Sequence, residues 1–401
     1  MTLDEALGRL LDAVEPLAGA ETVSTFDARG RVLAGDVRSA LDVPPADNTS
    51  MDGYAVRCAD VSASGVRLPV SQRLPAGVVG KPLPPGTAAR IFTGAQIPAG
   101  ADAVVMQEQC EADGDGVRVN TVPQPGQWIR RRGEDVAAGA VVLAKGARLA
   151  PASLGMAASV GAARLEVGRR PRVALFSTGD ELAMPGEPLK PGAIYNSNRF
   201  TLRGLIEAFG GVCTDLGIVP DRLDATREAL RRAAQGHDLI VTCGGMSVGE
   251  EDHLRPAVQA EGRVDLWQIA IKPGKPLAFG EVRRPDASTA WFIGLPGNPV
   301  SSYITFLLAV RPVLLRLQGS ADLAPRGLPM RADFDWLRPD RRREFLRVRR
   351  NAEGGLDLFA NQSSGVLTSV VWGDGVVDNP AGQAIRAGDR VNYLAFAEWL
   401  S

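Results

Sequence analysis

The sequence predicts a multidomain α/β protein centred on a doubly wound parallel α/β domain and flanked by regions of short strands. Three observations carry that expectation. From Gly168 onward, strand-like runs alternate with amphipathic helical ones: RVALFSTGDEL, SNRFTLRGLIEAFGG, VCTDLGIVPD, ATREALRRAAQG, HDLIVTCGG. This is how crossover helices join parallel neighbours. Residues 56–135 are instead glycine- and proline-rich with short apolar alternations, the pattern of a small β domain. Past Gly319 the helical period stops, and turn signals such as Glu353-Gly354-Gly355 predict an all-β terminal region.

The chain opens on a helix. Thr2 and Glu5 have capping-box spacing, and Leu3, Leu7, Leu10, Leu11 and Val14 share one face, expected to pack on a partner surface. Short β pieces from Glu21 to about Val43 lead into VPPADNTSMDGYAV, a proline-led loop feeding a strand, with Asp52 at its turn. By local pattern Asp52-Gly53 is a hairpin turn, and Thr93-Gly94, after Arg90-Ile91-Phe92, either presents a hydroxyl at a strand end or is a plain turn. The run from Arg130 to Asp135 joins three arginines to two acids and has the local look of a solvated face. AGAVVLAKGARLAPASLGMAASVG then reads as a return crossing into the first domain.

In the central domain ligands are expected outside the carboxyl ends of the strands. The polar clusters follow that rule: Thr178-Gly179-Asp180-Glu181, Pro220-Asp221, and Cys243 to Asp252. The last, in DLIVTCGGMSVGEED, turns from an apolar run through Gly244-Gly245 to three acids, which suits a phosphate cradle beside a hard metal. In IKPGKP, Pro273-Gly274 makes a tight turn that could converge Lys272 and Lys275 on one anion. GLPGNPVSS places a helix start at Asn298-Pro299, either a second anion-binding end or a simple strand-to-helix loop. Ile304 to Leu315, interrupted by Arg311 and Pro312, is too short to span a bilayer and reads as a core helix. Arg341-Arg342-Arg343 could serve an oxyanion or lie on a solvated strand surface.

Composition excludes several classes. In 401 residues, 45 Lys plus Arg balance 46 Asp plus Glu, so no global field draws nucleic acid or an anionic membrane. The N-terminus carries acids and no continuous apolar core, which points to a cytoplasmic chain without a signal peptide. Four widely spaced cysteines lack a C-x-x-C pair and are expected to be buried free thiols. With two histidines, chemistry must run on carboxylates and lysines.

Taken in order, SMDGYAV, RIFTGAQIPAGADAVV, RRGED, STGDEL, TCGGMSVGEED, IKPGKP and GLPGNPVSS make the chain resemble the molybdopterin molybdenumtransferases, the bacterial MoeA type also found as the gephyrin E domain. The resemblance implies a homodimer that takes adenylylated molybdopterin and molybdate and, with Mg2+, releases AMP. Other molybdenum-cofactor biosynthesis proteins are implied partners, though they leave no mark in the sequence. It implies an elongated N-terminal domain from residues 1–49 and 136–168, an inserted β domain at 50–135, the α/β molybdopterin-binding domain at 169–320 and a C-terminal β-barrel-like domain at 321–401.

Residue by residue, Asp52, Thr93, Asp135, Glu181 and Asp252 match the family's catalytic positions, with Glu181 and Asp252 as the metal carboxylates. Asp221, Gly244, Gly245, Ser247, Gly249, Pro296, Asn298 and Pro299 match substrate-binding positions, Lys272 and Lys275 the molybdate ligands, and Arg342 and Ser364 the same oxyanion pocket. One departure is Gln268, where members often carry a lysine. The implied dimer site draws on both subunits, so Asp52 and Thr93 would face the other chain's Gly244 to Asp252 loop. Two alternatives stay open. One is adenylyltransferase-like chemistry on the same α/β domain, and the other a non-catalytic scaffold of the gephyrin type.

Overall fold

The computed structural model describes residues 1–245 and 253–400. Its centre is a six-stranded sheet in the order Val212–Val219, Arg172–Thr178, Leu239–Cys243, Thr289–Leu295, Pro276–Arg283, Gly262–Gln268. The first four strands are parallel, as the strand-helix alternation requires, and the last two add antiparallel. Both faces are covered, which is why these strands read as nearly continuous apolar runs. Val173, Leu175, Val241 and Ile293 face the helices Ser197–Ala208 and 299–317, whereas Ala174, Phe176, Ile240 and Phe292 face Leu223–Ala234 and Leu254–Glu261.

The helix 299–317 corrects one expectation. At 19 residues it is long and apolar enough to cross a membrane by length and composition, yet 89% of its apolar window is buried inside the protein. Arg311 and Pro312 do not interrupt it. The proline lacks an N–H, and the helix passes it through a π-helical turn at Phe306–Val310. A second correction concerns the opening helix Leu3–Ala13, which has the expected Thr2–Glu5 capping box. Its apolar face packs within this chain: Leu3, Ala6, Leu10 and Val14 join the core cluster that contains Val313, Leu314 and Leu317.

Strand Ala20–Ser24 pairs antiparallel with Arg164–Gly168, and Val37–Arg38 with Val141–Leu143, so segments on either side of residues 50–135 close on each other. Between them lies a second six-stranded sheet, ordered Ala103–Met106, Gly53–Val56, Ala88–Ile91, Val66–Leu74, Gly116–Val119, Cys110–Asp113. The run from Arg130 to Asp135 is pinned rather than merely solvated, since Arg131 pairs with Asp47 at 2.7 Å and Arg132 with Asp42 at 2.6 Å.

Past residue 325, Arg343–Arg350, Gly355–Leu358, Leu328–Ala332, Arg390–Ala395 and Gly375–Asn379 close into a five-stranded ring around Leu346, Val348, Leu356, Val377 and Tyr393. The region is not wholly β, because it includes the short helices Thr368–Trp372 and Phe396–Leu400. One strand ties it to the centre: Ile271–Lys272 runs parallel to Arg343–Arg350, with Lys272 opposite Glu344. All four cysteines are free thiols, but only Cys243 is buried; Cys58, Cys110 and Cys213 are half-exposed.

Candidate functional site

Strands Arg172–Thr178, Leu239–Cys243 and Thr289–Leu295 end together, and above their carboxyl ends a cleft of about 670 Å³ opens toward the barrel. Its floor is backbone. Gly244 turns the chain at φ 93°, and a Cβ there would stand 2.7 Å from the Thr178 carbonyl oxygen, so only glycine fits. Gly274 makes the same kind of close approach at φ 109°, where a Cβ would collide with the Thr305 hydroxyl. The Thr178 hydroxyl lines this floor, buried and, among the described residues, without a hydrogen-bond partner.

Four segments bring sequence-predicted residues into this cleft. The first strand end supplies Glu181, the second Asp221, the third Gly244 and Gly245, and the turn after Thr289–Leu295 supplies Pro296 and Asn298. Lys272 and Lys275 come from the KPGKP turn, and Arg342 and Ser364 from the barrel. The Asp180 carboxylate accepts the Asp221 backbone N–H at 3.1 Å, tying the first two strand ends together. Asn298 caps the helix 299–317 through its carbonyl, which accepts the Ser302 N–H at 2.8 Å, while its side chain makes no capping bond. Pro299 lines an adjoining cleft of about 500 Å³ that shares Thr178, Glu181, Gly244 and Asn298 with the first. Ser247, Gly249 and Asp252 lie outside the described residues.

The cationic side of the cleft is organised by residues that the sequence motifs did not single out. Lys272 Nζ stands 3.2 Å from Glu344 Oε1 and 3.5 Å from Asp340 Oδ2, with the Trp336 ring 5.9 Å away. Glu344 is fully buried, and its Oε2 accepts from Trp336 Nε1 at 2.8 Å and from the Asp340 N–H at 3.1 Å. Arg342 grips Asp340 in a fork at 2.9 and 2.8 Å, and this pairing, ahead of the Lys272 charge, holds the Asp340 carboxyl far below its ordinary value. Lys275 is exposed and, among the described residues, has no ion-pair partner. The two lysines therefore differ: one is fastened to acids and one is free to meet a ligand. A signal for Glu344 existed, because it shares the parity of Leu346 and Val348 in REFLRVRR, a charge on the inward face of a strand.

Besides Pro299, the expected residues Asp52, Thr93 and Asp135 are not among those lining this cleft. Asp52 and Thr93 form a site of their own in the inserted sheet, where Asp52 Oδ1 accepts from the Thr93 N–H at 2.8 Å and its hydroxyl at 2.7 Å. These bonds, the backbone one first, lower the Asp52 carboxyl below its ordinary value. The Asp52-Gly53 turn thus holds its carboxylate by a contact 41 residues away, which no local pattern shows. Asp135 is exposed, its backbone N–H bonded to the Val43 carbonyl at 3.0 Å. Gln268 is exposed at a strand end and lies outside the cleft lining.

Three family models match the chain in succession: the MoeA N-terminal region (domain I and II) on residues 1–161, a probable molybdopterin binding domain on 174–316, and the MoeA C-terminal region (domain IV) on 329–396. A molybdopterin molybdenumtransferase of Synechococcus elongatus is 35% identical over 381 residues, covering 93% of both chains. The chain belongs to the molybdopterin molybdenumtransferase family. A Haemophilus influenzae member is 42% identical over 320 residues, which is 80% of this chain and 78% of its own. The crystal structure of a molybdopterin biosynthesis MoeA protein from Pyrococcus horikoshii superposes with a TM-score of 0.85 at 30% identity, covering 99% of this chain and 100% of that one. Gephyrin of Dictyostelium discoideum is also related, 32% identical over 355 residues that make up 49% of its length. Within the family framework, the cleft sits where the molybdopterin-binding segment meets the C-terminal one, since its residues come from both matched regions.

Proposed function

We propose that this chain is a molybdopterin molybdotransferase that inserts molybdenum from molybdate into adenylylated molybdopterin, releasing AMP, and that it works as a cytoplasmic homodimer. The observation that carries this reading is the single cleft that gathers a glycine cradle, Glu181 and Asp221 on one side and Lys275, Lys272 and Arg342 on the other. A phosphate-bearing substrate and a tetrahedral oxyanion can meet only where both kinds of group face one space.

The roles divide by position. Gly244 and Gly245 hold the phosphate end against backbone N–H groups, and Lys275 attracts molybdate while Lys272 and Arg342, fixed by Asp340 and Glu344, orient it. The residues present also fit a magnesium ion. Glu181 and Asp221 offer hard oxygen donors at the same rim, and with Asp252, the other metal carboxylate the resemblance implies, they suit an ion held by one or two carboxylates, water and substrate phosphate. Bound there, the ion supplies charge neutralisation at the phosphate. In a dimer, the Asp52–Thr93 pair of one subunit completes the cleft of the other, which accounts for a preorganised carboxylate outside the cleft lining of its own chain.

Glu181→Ala is expected to abolish molybdate-dependent AMP release while the dimer stays folded. Wild-type turnover in that protein would remove the site assignment. The adenylyltransferase alternative predicts ATP consumption instead, and a scaffold predicts neither reaction.

A further inference from the structure

The inserted sheet holds the Asp52 carboxylate by more than its two bonds to Thr93. Asp52 immediately precedes the strand Gly53–Val56, and Thr93 follows the neighbouring strand Ala88–Ile91, in which Arg90 lies opposite Tyr54. Arg90 spans the two. Its Nη1 donates to the Gly53 carbonyl at 2.9 Å and its Nη2 to Gln107 Oε1 at 2.7 Å. The Gln107 N–H in turn donates to the Asp52 carbonyl at 3.0 Å, so both peptide oxygens of the Asp52-Gly53 turn are held.

The same guanidinium reaches the Thr93 side by stacking. Arg90 and Phe92 are two residues apart and share one face of the chain. The guanidinium stands 4.5 Å from the Phe92 ring and 5.2 Å from the Tyr54 ring, which fixes the side chain directly before Thr93. Among the described residues no carboxylate forms an ion pair with Arg90, whose partners are two oxygens and two rings. A planar fork can hold two acceptors at fixed spacing while it stacks, which an ammonium cannot do. After the two Thr93 bonds, the Arg90 charge also lowers the Asp52 carboxyl.

We propose that Arg90 is a positioning residue for the reaction: by bridging the Gly53 carbonyl, Gln107 and the Phe92 ring, it keeps the Asp52 carboxylate and the Thr93 hydroxyl aligned on each other without touching the substrate. The proposal rests on the reading that the Asp52–Thr93 pair serves the cleft of the other subunit. Arg73 also stands over the Phe92 ring, at 4.7 Å, but has no hydrogen bond to the turn among the described residues and is not part of the device.

The test is amide hydrogen exchange on the full-length protein, with AMP-release kinetics on the same samples. Arg90→Met keeps the stem and removes the fork. Exchange at the Thr93 and Gln107 amides, whose acceptors belong to Asp52, is expected to quicken about tenfold, the loss of one charge-assisted hydrogen bond, while the amides of Gly116–Val119 keep their rates. The kcat is expected to fall about tenfold with the molybdate KM within about twofold of wild type, since the main cleft is untouched. Arg90→Lys, which keeps the charge and one donor, should recover part of the loss. Gln107→Ala changes an exposed side chain and frees one arm of Arg90, so it should show the same signature more weakly, and Arg73→Met should show none. Unchanged Thr93 exchange in both Arg90→Met and Gln107→Ala overturns the proposal, as does equal quickening at Gly116–Val119, which marks general loosening of the sheet. A wild-type kcat in Arg90→Met beside an inactive Asp52→Ala overturns it too. Full turnover of Asp52→Ala instead removes the reading on which the proposal rests.

Discussion

Lys275→Ala separates anion attraction from stability. Lys275 is exposed and has no ion-pair partner among the described residues, so its removal strands no carboxylate. A surface change of this kind shifts stability by less than about 0.5 kcal/mol, and the melting temperature should move by no more than about 2 °C. Its effect on a dianion is larger. A unit charge pair at about 4 Å interacts by about 1 kcal/mol even at the screening of bulk water, so one ammonium beside a dianion contributes about 2 kcal/mol, or about 30-fold in affinity. The KM for molybdate in an AMP-release assay is therefore expected to rise about 30-fold. Lys272→Ala should behave differently, because it leaves the fully buried Glu344 without its cation at 3.2 Å. Lys272 is partly exposed, so the cost is about 1–3 kcal/mol, below that of a fully buried pair, and the melting temperature falls along with affinity. A molybdate KM for Lys275→Ala within threefold of wild type, or an equal loss of stability in both variants, would refute the reasoning.

Glu344→Leu should destabilise the chain by about 2–4 kcal/mol in thermal melts, because it strands the Trp336 N–H and the Asp340 N–H and leaves Lys272 with Asp340 alone, whereas Glu344→Gln should cost less. Gly244→Ala should lower the melting temperature and abolish AMP release, since φ 93° and the Thr178 carbonyl both oppose a side chain. Asp340 titrates below its ordinary value of 3.8 in the folded chain, so the stability it contributes is complete above about pH 4 and is lost as pH falls toward the folded-state value. Melts of Asp340→Asn should lack that acid-dependent part. If the dimer shares its sites, mixing Asp52→Ala and Glu181→Ala chains, each inactive, should restore part of the activity through heterodimers with one intact site. Continued inactivity after verified subunit exchange would count against sharing.

The centre of the fold was legible because each strand and helix there has its own period, and the polar clusters at Thr178 to Glu181, Asp221 and Gly244 fall where strands stop. The two antiparallel strands around KPGKP were harder to place, because apolar runs covered on both faces look alike in either direction. The buried helix 299–317 was legible from its start at Asn298-Pro299 and its apolar run, whereas the π-helical turn that carries the chain past Pro312 was not, since nothing local in the sequence marks it. At the site, glycines and lysines announced themselves through turn chemistry. The partners that set their roles did not: Glu344 lies 72 residues from Lys272, and Thr93 lies 41 from Asp52. Such pairings are made by the sheet register, here Lys272 opposite Glu344, and register is a property of the folded chain.

The most direct test of the central claim is AMP release by the purified protein from adenylylated molybdopterin, with molybdate and magnesium supplied together and each withheld in turn. The account predicts release that requires both and leaves molybdenum on the pterin. Release at the same rate without molybdate, or no release with both present, would contradict it.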